Sequence, residues 1–496
     1  MGKRSITPFV IAHYALPCIL FMLLAACGPS KLAKKRSSRF HENQGIIHLN
    51  LGEYDQAMAE LNLAIRLDPL YTEAYFNRGN VFYMTEAYDS AIVDYDRTVR
   101  LDRTHVKALN NRGRANWMLG RERRAFLDFS KAIEIDRNFA NAYFNRANLL
   151  MEVGEYDPAR KDFTRAIEAD SGYVMAYFGR GNAYRRLEEY QPAIEDYTEI
   201  IEHVPQHFEA HHNRGLVYQR LEEYGKAIAD YTRAIEIDPN QAQTYRNRAK
   251  AYIAISDYES ALVDYGSIIR LDPLAQDSYR GRADIYLASG DYEMALADYQ
   301  RIIELNPTET DAFINMATVY SETGDNARAI DAYTAVIELN PADADAYNNR
   351  GILHDENGDL SLAIADYTKA IEIDPEKAEA YNNRGASYAR MRNDTRALAD
   401  YTRAIELNPV YATAYYNRGN IYFNLGRYAE AVSDHLEALG LDPGHESTYY
   451  SLARALEAAG HSSRAAKAYR DYVEHSAGED PARIERARER IRQLEK

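Results

Sequence analysis

Apolar and small residues recur along the chain at helical spacing, and the pattern restarts every 34 residues. In the stretch from Thr72, residues Tyr75, Gly79 and Phe82 stand at i, i+4 and i+7, one stripe of a first helix. The run TEAYD then makes a turn, and Ala91, Tyr95 and Val99 mark one face of a second helix. Most stretches close on Asp-Pro or Asn-Pro, as at Pro239, Pro273 and Pro307, where a ring without an N–H stops the helix. Aligned on the small residue of Asn-Arg-Gly, the register runs Gly45, Gly79, Gly113, Ala147 and onward to Ala453, with no insertion. A second register, from Ala57 and Ala91 to Ala465, holds alanine in all thirteen units. Small residues at both places let paired helices approach closely, while aromatics fill the space between neighbouring units. The pattern predicts an all-α chain whose units start at 38, 72, 106, 140, 174, 208, 242, 276, 310, 344, 378, 412 and 446.

The period, the helix–turn–helix plan and the set places of Tyr, small residue, Ala, aromatic and Pro resemble the tetratricopeptide-repeat family over residues 38–479. The resemblance implies a right-handed superhelical solenoid of thirteen repeats whose first helices line a concave groove for extended peptides or partner helices. After it, residues 480–496 read as a capping helix: Asp480 as cap, Pro481 in the first turn, and Ile484, Ala487, Ile491 and Leu494 as one apolar stripe.

Most units repeat a charge inside their apolar pattern. Numbering units 1–34 from Ser38, ten carry Arg at position 7 and Asp at position 23, among them Arg78/Asp94, Arg214/Asp230 and Arg384/Asp400. The other three carry neither, offering Gln44/Glu60, Met316/Ala332 and Leu452/Ala468. In an antiparallel pair with its turn near position 15 these two places lie level. An unpaired buried charge is costly while a pair or an apolar substitute is tolerated, so the all-or-none pattern predicts a half-buried bridge between the two helices.

Position 6, beside that Arg, is Asn in ten units: Asn43, Asn77, Asn111, Asn145, Asn213, Asn247, Asn315, Asn349, Asn383 and Asn417. Placed on the groove side, these amides are expected to meet the backbone of a bound peptide. Other groove candidates in early repeats are Phe76, Trp117, Phe144 and Phe178, with Tyr83, Met84 and Met118. A basic group follows, with Arg185, Arg186, Arg220, Arg246, Lys250 and Arg280, and later units turn acidic with Asp284, Asp311, Glu322, Asp355 and Glu356. Such a groove suits a segment with apolar anchors at one end and carboxylates in its middle.

Composition adds three points. The 496 residues hold 41 Tyr against one Trp, one aromatic slot filled repeatedly, and the net charge of −16 argues against a general nucleic-acid binder. Both cysteines precede residue 28, so neither a disulfide framework nor a Cys-based metal site is expected. The start has Lys3 and Arg4, an apolar run and small residues before Cys27, the form of a secretory signal over residues 1–26. Its end, Leu24 to Cys27, looks like a bacterial lipobox, which implies acylation of Cys27. Gly28 stands where an Asp would imply inner-membrane retention, so the resemblance points to an outer-membrane anchor facing the periplasm. Residues 27–37 then read as the lipidated Cys and a basic linker, whose Lys31, Lys34, Lys35 and Arg36 suit anionic headgroups.

Candidate chemistry is sparse. His203, His207, His211 and His212 lie close in sequence, but Pro205 separates them and His211 occupies a core slot. No phosphate-binding Gly loop, nucleophile elbow or HExxH occurs. The reading is a non-catalytic, lipid-anchored scaffold or adaptor of the bacterial envelope. It needs no cofactor and no metal, and its partners are proteins and a membrane rather than nucleic acid or a small-molecule substrate. The alternatives are a structural subunit of a secretion, pilus or outer-membrane assembly complex and, further off, a metal-dependent hydrolase built on the four histidines.

Overall fold

A computed structural model describes residues 31–475 and 481–495; the signal segment, Cys27 and Asp480 lie outside them. The described residues form 27 α-helices and no strand. The chain divides between Asp257 and Tyr258 into two units. The first runs from α1 (Lys31–Asn50) and α2 (Tyr54–Leu67) to α13 (Ala242–Ala254), and the second from α14 (Tyr258–Leu271) to α27 (Pro481–Leu494). Within each unit every helix packs on its successor. In the first unit the first helices of successive repeats also touch, so α3 (Thr72–Met84) meets α5 (Val106–Met118), α5 meets α7 (Ala140–Glu152), and so on through α9 (Val174–Arg186) and α11 (Phe208–Arg220) to α13.

The close approach of paired helices is set by position 8. A Cβ built on Gly79 would lie 2.7 Å from the Tyr95 ring, and one on Gly113 2.6 Å from Phe129, so only glycine or a displaced ring fits there. Opposite, Ala57, Ala91, Ala125, Ala159, Ala193 and Ala227 are fully buried, and the large side chains beside them (Tyr95, Phe129, Phe163, Tyr197, Tyr231) form the core. The turn between the two helices needs a left-handed residue. Gly52, Gly120 and Gly154 supply it, but Glu86, Glu188 and Glu222 hold φ of 61°, 61° and 59°. At the far end of most second helices a carboxylate or amide accepts the N–H two residues on, as Asp68 does from Leu70 and Asn306 from Thr308. This local turn, followed by Pro in most repeats, redirects the chain into the next unit.

One sequence expectation changes. Residues 31–37, read as linker, belong to α1, because no Gly or Pro between 31 and 44 interrupts the helix. At the other end, α27 covers the last repeat as the apolar stripe predicts: Ala487 is fully buried, and Ile484, Ile491 and Leu494 pack against the cluster that holds Leu456, Tyr469 and Tyr472.

Candidate binding face of the first helices

Nine of the ten Arg–Asp pairs fall wholly within one unit, and in each the guanidinium grips the carboxylate through two bonds, Nε–H and Nη2–H, at 2.5–3.0 Å. Arg78 holds Asp94 with both bonds at 2.7 Å, and Arg384 holds Asp400 with both at 2.8 Å. The expected half-burial is met on the basic side alone. Arg78, Arg214 and Arg384 are half-buried, but Asp94, Asp230 and Asp400 are buried outright, at 2%, 5% and 7% exposure. The short carboxylate cannot leave the seam between the helices, whereas the long arginine stem carries its guanidinium outward from it.

The structure adds a third bond that sequence reasoning missed. Nη1–H reaches back to position 25 of the preceding repeat: Arg78 to Asn62 at 2.6 Å, Arg112 to Asp96 at 2.6 Å, Arg146 to Ser130 at 2.9 Å and Arg214 to Thr198 at 2.9 Å. Each of these Arg therefore ties three helices across two repeats. The signal was present as a run of Asn, Asp, Ser and Thr at position 25.

Arg282 holds Asp298 but faces Gly266 at that place. A Cβ there meets only Arg270 Nη1 at 3.8 Å and Arg282 Nη1 at 3.9 Å. Gly266→Ser should therefore raise stability by about 1 kcal/mol, from helix propensity and the restored bond. Denaturant melting of the two chains measures it, and a lower midpoint would contradict it.

The asparagine row departs from expectation. Six of its amides donate to the preceding repeat, although Asn111, Asn145 and Asn247 also line recesses on this face. Asn77 is buried and donates to Glu42 at 2.8 Å; Asn111 and Asn213 donate to Asn80 and Asn182 of the preceding repeat at 3.0 and 2.9 Å. Asn145, Asn383 and Asn417 donate instead to Asn110, Asn348 and Asn382, at 2.8, 3.2 and 3.1 Å. Asn247 is buried and accepts from Gln243, Asn349 accepts from Asn348, Asn315 adjoins the Tyr299 hydroxyl, and Asn43 alone of the ten is exposed. First helices of adjacent repeats come together here, so their polar groups lose water and must bond one another. Burial pushes the Glu42 carboxyl up despite its bonds from Tyr71 and Asn77.

The aromatic candidates are likewise half-sunk between repeats. Phe76 packs on Tyr95 and His105, Phe144 on Phe163 and Tyr173, and Phe178 on Tyr197 and His207. Trp117 donates its indole N–H to Glu152 of the next repeat at 2.7 Å. Phe76, Phe144 and Tyr173, with Lys107, Asn111 and Arg114, border a recess of about 400 Å³ in the first unit.

The basic candidates separate. Arg280 belongs to the second unit and is paired with Glu309 at 2.8 Å. Arg185, Arg186, Arg220 and Lys250 converge on one recess of about 580 Å³ between α9, α11 and α13, with Glu188 the one carboxylate in its wall. The Nε atoms of Arg185 and Arg246 are buried without a hydrogen-bond partner. His212 is held below the usual imidazole range, first by burial and then by the neighbouring Arg185 charge.

The four histidines each have a separate partner. His203 lies against the Glu199 carbonyl, His207 accepts from the Ala210 N–H, His211 sits between Asp230 and the Pro205 carbonyl, and His212 meets Thr244. No three metal-ligating side chains converge among the described residues. The later acidic groups are also engaged in part: Asp355 accepts from Ser387 and Arg390, Asp284 from Tyr299, and Glu322 from Tyr292. No helix among the described residues is long and apolar enough to cross a membrane.

No curated protein matches the chain. Among solved structures, MamA is 28% identical over 34% of this chain and 91% of its own, with a TM-score of 0.32. YrrB, described as a TPR protein with an unusual peptide-binding site, is 27% identical over 37% of this chain and 95% of its own, TM-score 0.33. The APC/C hetero-tetramer Cut9–Hcn1 is 15% identical over 97% of this chain and 99% of its own, TM-score 0.38. Family models match in sequence: "Tetratricopeptide repeat" at residues 144–202, 314–378 and 382–446, a second of that description at 208–241 and 277–309, and "TPR repeat" at 45–86. Together these segments take in more than half of the chain, which belongs to the tetratricopeptide-repeat family.

Proposed function

We propose that this chain is a non-catalytic adaptor, anchored by lipid at Cys27 in a bacterial envelope, that recruits protein segments to the first helices of its repeats. One observation carries the recruiting role. Arg–Asp clips and the asparagine row use up polar groups inside the stack, yet the first-helix face of the first unit keeps two open recesses of about 580 and 400 Å³. Met84 and Met118 stand exposed at position 13 on the same helices, flexible apolar side chains suited to an adaptable contact.

A photo-crosslinking side chain at Met118 should give protein adducts in solubilised envelopes, while one at Val93, exposed on the second helix α4 (Tyr88–Leu101), should give none. Adducts at Val93 alone, or at neither place, would reject the recruiting role. The anchor is tested separately. Labelled palmitate should enter the wild-type chain and leave it in the membrane fraction, and Cys27→Ser should abolish both. Incorporation unchanged by the substitution removes the anchor.

A further inference from the structure

We infer that the recess between α9, α11 and α13 is a docking subsite for a carboxylate-rich segment of a partner protein, an inference that rests on the adaptor reading. Four cations, Arg185, Arg186, Arg220 and Lys250, share this recess with one carboxylate, Glu188. None of the four carries an ion pair within the described residues. Their counterparts on other first helices do not stand so. Arg280 is paired with Glu309, and Arg390, at position 13 like Arg186 and Arg220, with Asp355.

The contrast has weight because acids are in excess, 75 Asp and Glu against 59 Lys and Arg. Four cations gathered around a single carboxylate repel one another more than Glu188 offsets. That repulsion is relieved when an acceptor of negative charge enters.

Geometry favours a linear ligand. The cations come from three successive repeats, and Arg186 and Arg220 occupy the same position 13 one repeat apart. Tyr190, Tyr224 and Leu216 add apolar wall between them. A row of cations on a partly apolar floor matches an extended chain bearing several carboxylates better than one small dianion. A nucleic acid, charged along its whole length, would meet the net charge of −16 beyond the recess.

The test uses the full-length chain in detergent and a fluorescent glutamate-rich peptide, with its glutamine counterpart as control. Saturable binding of the glutamate peptide alone is expected, weakening as salt rises. Arg186→Glu with Arg220→Glu should reduce affinity by on the order of tenfold or more, since both side chains are exposed and the substitution reverses charge at the mouth. The variant should also gain affinity for a lysine-rich peptide, a reversal that misfolding does not produce. Equal binding of both peptides to the parent, or unchanged affinity in the variant, overturns the inference. So does displacement by inorganic phosphate at matching concentration, which marks a small-anion site, and so does concentration-dependent self-association abolished by the variant, which marks a contact between copies. If Met118 still crosslinks to the same proteins in the variant and the glutamate peptide never binds, recruitment stands and this subsite falls.

Discussion

Replacing Asp230 by alanine should cost the fold about 3–5 kcal/mol, because it leaves a half-buried guanidinium without its counter-charge. Asp230 is buried and accepts two bonds from Arg214, at 2.7 and 2.8 Å, with His211 at 3.3 Å on the same carboxylate. Arg214→Leu together with Asp230→Ala should be less damaging than Asp230→Ala alone. The last repeat already uses that combination, with Leu452 and Ala468 buried at the same two places. Stacked repeats do not always unfold in one step, so amide exchange in α11 and α12 (Tyr224–Ile237) belongs beside denaturant melting. Equal loss in single and double variants would show that the charge pair, rather than the stranded charge, sets the cost.

His211 also separates two bridges that look identical in sequence. Burial dominates at Asp196 and raises its carboxyl above the ordinary value although Arg180 holds it. At Asp230 burial pushes the same way, but Arg214 and His211 together outweigh it and the carboxyl lies below the ordinary value. Asp230 therefore contributes stability that is present above the unfolded carboxylate range and lost only as pH falls through its depressed folded value.

The second large effect is an acid limb set by His435. It fills the aromatic slot of α24 (Tyr428–Leu441) with no exposure, and neither ring nitrogen has a hydrogen-bond partner. Burial lowers its pKa to about 4, so the folded chain keeps it neutral while the unfolded chain takes a proton near 6.5. Below pH 6.5 the unfolded state binds the extra proton, and stability should fall by about 3 kcal/mol on the way to pH 4. His435→Tyr should remove that limb. A tyrosine here would place its hydroxyl toward Asn420, as Tyr95 does toward Asn80 at 2.9 Å and Tyr197 toward Asn182 at 2.8 Å. Denaturant melts of both chains between pH 7 and pH 4 read this directly, and parallel curves would sink it.

The repeat was legible because its determinants are local and copied: a 3.6-residue stripe, a small residue where helices touch, a turn and a proline. The Arg–Asp spacing was legible for the same reason, since an antiparallel turn makes two sequence positions level. The depth of each partner was not: Asp94 and Asp400 lie deeper than their arginines, which only the packed seam decides. What lay between repeats was hidden too. A position-6 asparagine reads as a free amide until the next first helix is placed against it, and that placement differs by repeat. Asn111 finds Asn80, while Asn145 finds Asn110. The third bond of each Arg and the convergence of Arg185, Arg186, Arg220 and Lys250 are decided in the same way. These partners lie in different repeats, and only packing settles which of them meet and which charges are left without an answer. The sequence by itself therefore determined the unit and its internal bridge. The tertiary structure decided which polar groups are consumed holding units together and which remain for a partner, because desolvation at each contact forces bonding there and nowhere else.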